Sequence, residues 1–401
     1  MKKNFKSQAT LILLLLVVII AYAVKNNLAN KGGSNPVQKE VSDSLSPHPI
    51  SAGPIPSIPF QLPSGFTIHI FAQGLGNPRD LQFTPGGTLL VSNPTANQVL
   101  VLPDTNHDGL ADSQKVIIKG ENHVHGLAFY HEKLYIADVD KVVRYAWDEK
   151  NLEATKDRVL FLLPSNNDHN NRTLTFNDSG QLFISLGSTC NVCREAPEQG
   201  GSVLISNSEG VTPRIFATGL RNAPFTLVNS KTGELWGTEM GRDYLGDTTP
   251  PDEINIIKEG KDYGWPNCYG DRIHDTAFDT NQYIRDPCSS SEQPIFEIPA
   301  HSAPLGLTFI NSPQFPPDWQ GDLLVAYHGS WNSSVPVGYK VVHMKVNGNS
   351  ITGSDDFLTG FLQGHTNNSS LGRPVDLAFD TQGNLYISDD KAGAVYIVQK
   401  D

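Results

Sequence analysis

The 401-residue chain sets 30 Lys+Arg against 42 Asp+Glu for a formal charge of −12. No Lys/Arg run follows Lys6, which argues against a surface built for nucleic acid or an anionic membrane, because both need clustered cations. With 35 Gly, 27 Pro and 38% hydrophobic residues, short strands and many turns are favoured over long helices, and a closed all-β fold commonly carries such a length as one domain.

At the start, Lys2, Lys3 and Lys6 precede the apolar run Leu11–Ile20, and Ala21-Tyr22-Ala23 supplies the small-x-small pattern of a signal-peptidase site. Residues 1–23 are therefore read as a signal peptide or, because the uncharged stretch 7–24 lies at the lower edge of spanning length, as a retained membrane anchor. Either reading predicts export, to the periplasm or the extracellular side. No Cys follows the run, so nothing points to a lipoprotein. Residues 24–63 are rich in Pro, Ser, Asn and Gly and are expected to form an extended tether, leaving 64–401 to fold.

From there one unit recurs: an x-Leu-x-Phe-like strand, a Gly turn, a second apolar strand and a third. It begins at Asp80 (DLQF, LLVSN, QVLVL), Gly126 (GLAF, LYIAD, KVVRY) and Thr173 (TLTF, LFISL, SVLIS). It returns at Pro224 (PFTL, LWGTE, EINII), Gly306 (GLTF, LLVAY, KVVHM) and Asp376 (DLAF, LYISD, AVYIV). A lone copy cannot cover both faces of its sheet, whereas copies stacked around an axis can. Six copies predict an all-β, six-bladed β-propeller. The last copy ends after three strands, so Phe66–Ala72 is expected to pair with Ala394–Gln399 and close the ring without a free edge. Pro266–Ala300 reads as an insertion over one face.

Four Cys in an exported chain suggest disulfides. Cys268 and Cys288 flank the insertion and would staple it, and Cys190 and Cys193 form a Cys-x-x-Cys pair in a blade loop. His123 and His125 have metal-like spacing but equally suit polar loop ends lining a channel. His169, in Asp168-His169-Asn170-Asn171-Arg172, precedes the third repeat where a channel-facing group would emerge.

The densest stretch is Gly219–Gly270, with Gly-Leu-Arg-Asn, then Thr-Gly-Glu-Leu-Trp, then Asp-Glu-Ile-Asn, then Tyr-Gly-Trp-Pro. That order resembles the soluble sugar dehydrogenases dependent on pyrroloquinoline quinone (PQQ), the glucose/sorbosone dehydrogenase-like family, and in particular its sorbosone dehydrogenase-like branch. The resemblance implies a PQQ- and calcium-dependent oxidoreductase that oxidises a sugar or a related aldehyde or alcohol. It implies His169 as the base that takes the hydroxyl proton while a hydride passes to the quinone, with calcium and Arg221 stabilising the charge that develops there. Arg221, Asn222 and Arg373 match its cofactor-side residues, and the carbonyls of Gly241 and Arg242 its cofactor-side calcium ligands. Glu253 with Tyr263 would hold a second calcium. Three positions depart from the pattern: Val375 stands in place of a second arginine, Ser188 in place of the Asp that orients the His, and the family's lysine has no match near His328-Gly329-Ser330-Trp331. His328, Trp331 and Lys340 are the candidates to compensate. Two other functions fit a propeller: a calcium-dependent lactonase, which needs Glu, Asn and Asp side chains on a channel metal, and a non-enzymatic carbohydrate-binding surface. Neither the substrate nor the electron acceptor is readable from these residues.

Overall fold

The computed structural model describes residues 58–165, 168–196 and 199–401. The signal or anchor segment and most of the tether lie outside them. Six four-stranded antiparallel sheets follow the six repeats. Blade one runs through Leu81–Phe83, Leu89–Asn93, Gln98–Leu102 and Lys115–Lys119. The first strands of all six copies touch one another in a closed ring around an axial cavity of about 350 Å³ lined by residues such as Leu81, Leu127, Thr175 and Leu377.

Alternation explains the layers. In Leu-x-Phe and Leu-x-x-Ser strands, successive side chains point to opposite faces, and both faces are apolar because each sheet is covered by a neighbour on either side. Leu89, Leu90 and Val91 are each at most 1% exposed although adjacent in sequence, as expected for a strand buried on both faces.

Polar side chains on and just before the inner strands stitch one blade to the next. The Asp80 carboxylate accepts from the Leu127 amide at 2.8 Å, and that of Asp376 from the Leu81 amide at 2.8 Å, which closes blade six onto blade one. Thr173 donates to the Pro224 carbonyl at 2.8 Å and Thr238 to that of Leu305 at 2.8 Å. Each bond satisfies a buried backbone group that no ladder reaches.

The closure is as expected: Phe66–Gln73 pairs antiparallel with Ala394–Lys400, from Phe66 opposite Lys400 to Gln73 opposite Ala394. Two boundaries differ from the sequence reading. The end of the tether is folded: Phe60 packs edge-on against Phe361 and Tyr396 at 5.0 Å, and Gln61 exchanges two backbone bonds with Thr359. The alternation Ile58, Phe60, Leu62 buries an apolar side against the core between blades five and six, a signal masked by the surrounding prolines. The insertion also contributes to its blade, since Phe296–Ile298 returns to form the outer strand of blade four. Both disulfides are present, Cys190–Cys193 and Cys268–Cys288, with Cα separations of 6.2 and 5.8 Å.

Candidate active site at one axial mouth

Antiparallel strand order decides which loops meet. In every blade the loop entering the first strand and the loop from second to third strand emerge on the same face. His169, Arg221 and Arg373 lie on entering loops, and Ser188, Gly241 and His328 on second-to-third loops, so all converge on one mouth.

His169 is held from its backbone and its ring. The buried Arg172 guanidinium donates to the His169 carbonyl at 2.6 Å and to that of Asn171 at 3.0 Å, bracing the loop from within. The ring Nδ1 lies 3.1 Å from the Ser188 carbonyl and 3.0 Å from its hydroxyl, whose own proton goes to the Cys190 carbonyl at 2.7 Å. Both groups are acceptors toward the ring, so the proton sits on Nδ1 and Nε2 carries the lone pair. Ser188 thus takes the orienting position expected of an Asp, without its charge. Burial first, and then the nearby Arg221 cation, push the His169 pKa down to about 4, so the imidazole is neutral at pH 7.

Gly187 explains how His169 reaches Asn222. A Cβ on this glycine would stand 2.4 Å from the His169 Cβ and 3.0 Å from Asn222 Oδ1, so the two side chains flank a position only glycine fits. Arg221 is 5% exposed. Its guanidinium donates to the Asn191 carbonyl (2.8 Å), Asn191 Oδ1 (2.9 Å) and the Gly241 carbonyl (3.0 Å), and it pairs with Asp243 at 3.1 Å. The Gly241 carbonyl, an expected calcium ligand, therefore faces Arg221. The side chain of Arg242 is in an ion pair with Asp275.

Behind Gly241 lies an acidic core. Glu239 and Glu253 are opposite one another on neighbouring strands, and Asn255 donates to both, at 3.1 and 2.9 Å. Burial and then, for Glu239, the charge of Glu253 hold its pKa well above the usual range, and burial raises that of Glu253. Asp252, which accepts from the Gly241 and Ala303 amides, is pushed up to about 7 by burial. Asn255 Oδ1 is buried with no hydrogen-bond partner. The Tyr263 hydroxyl is committed to the Ile256 carbonyl and the Lys258 amide, and the side chains beside Glu253 are those of Glu239 and Asn255.

The far side of the mouth is built from blades five, six and one. Arg373 donates to the carbonyls of His328, at 3.1 Å, and Gly329 and lies 5.6 Å over the Tyr339 ring. His328 Nε2 is 2.9 Å from Asp390, which also pairs with Arg79 at 2.7 Å. Burial lowers the His328 pKa to about 4 despite Asp390. Although burial acts against it, His328 and Arg79 hold the Asp390 carboxyl well below its usual range. Arg79 was missed in the sequence, yet the signal was there: Asn-Pro-Arg79-Asp-Leu enters blade one as Asn-Asn-Arg172-Thr-Leu enters blade three.

Other expectations settle differently. Trp331 is 60% exposed on the rim, edge-on to Tyr244 at 6.1 Å. Lys340 pairs with Asp356 on the outer strand of its blade, away from the axis, and so is no substitute for the missing lysine. Val375, on the first strand of blade six, is fully buried against a core cluster of blades four and five, where an arginine would lose its hydration. His125 is buried, with Nδ1 3.3 Å from the Arg172 carbonyl and Nε2 3.5 Å from Arg79 Nε; together with the left-handed backbone of His123, this favours a structural role over a paired metal site.

A protein of Borreliella burgdorferi described as uncharacterized is 31% identical over 356 residues, covering 84% of this chain and 90% of that protein. The PQQ-dependent pyranose dehydrogenase of Coprinopsis cinerea is 24% identical over 86% of this chain, and the match spans 55% of that enzyme's length. A Trichoderma reesei carbohydrate-active enzyme of family AA12, in its iodide structure, superimposes with a TM-score of 0.75 at 21% identity, covering 88% of this chain and 100% of its own; its calcium structure gives 0.72 at 22% identity, covering 85% and 97%. The model of the TrAA12-like family matches residues 60–401, and on that match the chain belongs to the TrAA12-like family.

Proposed function

We propose that this protein is an exported oxidoreductase that uses PQQ and calcium to oxidise a sugar or a related aldehyde or alcohol. One observation carries the reading. In a chain of net charge −12, three buried arginines, Arg79, Arg172 and Arg221, and the half-buried Arg373 are drawn to the loops of one mouth beside a neutral histidine. Several of their bonds go to neutral carbonyls, an arrangement suited to an anion with several carboxylates. The relative from Coprinopsis, named for PQQ and pyranose, supports the same choice.

The residues present fit such a group. Arg221, Asn222, Arg373 and Arg79 would hold the carboxylates, with His328 beside them, and Trp331 on the rim would shield the mouth. Calcium fits the acidic core, where Glu239, Glu253 and the orphaned Asn255 Oδ1 form an oxygen-rich set. When bound, PQQ supplies the hydride acceptor. The chain's own part is proton handling: Nε2 of His169 accepts the substrate hydroxyl proton, and the Ser188 contacts keep the ring in the tautomer that can do so. Arg221 stays protonated and serves as a fixed positive charge.

A lactonase is less favoured, because Glu239, Asp252, Glu253 and Asn255 are at most 5% exposed and are closed off from a substrate in the channel. The two disulfides suit the export that residues 1–23 suggest. The test is reconstitution: purified full-length protein with PQQ and calcium should show a quinone absorption that an aldose bleaches. Failure to take up PQQ at micromolar concentration would sink the reading.

A further inference from the structure

The Cys190–Cys193 loop belongs to no blade strand, yet it touches both halves of the proposed machinery. Its first residue offers the carbonyl that accepts the Ser188 hydroxyl, and so sets the acceptor facing His169 Nδ1. The second, Asn191, does more. Its carbonyl and its Oδ1 accept from two different nitrogens of Arg221, at 2.8 and 2.9 Å, the same Oδ1 accepts from the Asp243 amide at 2.8 Å, and its Nδ2 donates to the Asp243 carbonyl at 3.3 Å. Asp243 in turn pairs with Arg221 and accepts from Asn332. One asparagine therefore fixes the plane of the guanidinium and ties it to the loop at Gly241.

We infer that Asn191 is a positioning residue for Arg221, and that the Cys190–Cys193 disulfide exists to hold it there. The inference rests on the role of Arg221 proposed above. A Cys-x-x-Cys ring leaves its two middle residues little freedom, so the Asn191 carbonyl and side chain are presented together. Without the bond, a loop with no ladder hydrogen bonds would have to order itself on Arg221 at its own entropic cost. The other disulfide, Cys268–Cys288, has no such contact with His169 or Arg221 and serves as the internal control.

The test uses full-length protein and PQQ equilibrium binding, read from cofactor absorbance in the presence of calcium, with thermal melting alongside. Asn191→Ala should raise the PQQ dissociation constant about tenfold or more, the scale of a lost hydrogen bond to a charged group, while shifting the melting temperature little. In an Arg221→Ala background the same change should add almost nothing, because its path runs through that arginine. A merely structural asparagine would instead give additive losses, and that result would overturn the inference. A dithiol reductant breaks the S–S bond with two electrons and two protons, leaving two protein thiols and closing to its own disulfide. It should weaken PQQ binding in the wild type, and not further in Cys190→Ala/Cys193→Ala. Equal sensitivity of both proteins would assign the effect to Cys268–Cys288 and refute the role of the loop. Arg221→Ala with unchanged binding would overturn the proposed function and this inference together, whereas a weak Arg221→Ala beside a normal Asn191→Ala would overturn this inference alone.

Discussion

The two mouths of the propeller are made by the same strands and behave differently. On the face opposite the site, the hairpin turns are short and close on themselves: Thr84 pairs with Thr88, Asn177 with Gln181 and Asp380 with Asn384 through their own backbone groups. Between blades one and six this face holds a cavity of about 380 Å³, lined in part by Gly86, Asp104, Glu149, Lys150, Asp380 and Gln382. It is roomier than the small gap of about 20 Å³ between Arg221, Gly241 and Glu253. Volume by itself does not single out the site, because a cavity of the same size lies among the site-face loops at Arg194, Gly201, Gly219 and Trp265. On the site face the second-to-third loops of blades three, four and five are long, spanning 187–201, 240–251 and 328–339, and arginines and a histidine fill the space with convergent charge. Desolvated charge, which shifts pKa values and is costly to bury, distinguishes a site from a crevice.

The sharpest way to break this contrast is His169→Gln, which should lower kcat by about 10² to 10⁴, the usual worth of a positioned base, and leave PQQ binding within about threefold. Wild-type turnover would remove His169 from the mechanism. Because its pKa lies near 4, protonation abolishes the lone pair only in acid, so kcat/KM should stay level from pH 7 to about pH 5 and fall as the pH drops through about 4. A fall centred near 6.5 would mean an imidazole exposed to water.

Next in size is the staple. Cys268→Ser/Cys288→Ser should cost about 3 kcal/mol for a closed loop of about twenty residues, read by thermal melting, with PQQ affinity retained. Calcium should raise the melting temperature, reflecting a stabilisation set by its saturation of about 2.7 kcal/mol at a hundredfold excess over Kd. The raised pKa values of Glu239 and Glu253 mean that calcium must displace protons, so its stabilisation should be larger at pH 8 than at pH 5. It should vanish in Glu239→Gln/Glu253→Gln, and an equal effect at both pH values would place the ion elsewhere. The smallest expected effect sharpens the comparison directly: Arg373→Ala should weaken PQQ about tenfold, whereas Glu149→Ala in the larger, opposite cavity should leave it unchanged. A loss in Glu149→Ala comparable to that in Arg373→Ala would show that the faces have been assigned the wrong way round.

The sequence alone determined the ring. Period-two alternation and a repeated Leu-x-Phe start are local signals, and with six copies there is only one economical way to bury both faces of every sheet. The missing strand of the last copy pointed to Phe66–Ala72 for the same reason, and the pairing with Ala394–Lys400 followed. His169, Arg221 and Arg373 were legible through the resemblance of their motifs, Gly-Leu-Arg-Asn and Leu-Gly-Arg-Pro among them, to a known family, and their positions on loops entering the repeats put them on one face. Other features needed the tertiary structure, because they depend on which loops meet rather than on spacing along the chain. Nothing in Cys-Asn-Val-Cys announces that Asn191 grips an arginine thirty positions away, or in Leu-Gly-Ser-Thr that Ser188 fixes a histidine tautomer. Arg79 became a site residue only when ring closure set blade one beside blade six, bringing Asp390 to within 2.7 Å. Glu253 found Glu239 and Asn255 through strand register, whereas the Tyr263 hydroxyl was claimed by its own blade. Periodicity specifies which face a side chain takes, but the partner across a mouth is specified only once the ring has closed.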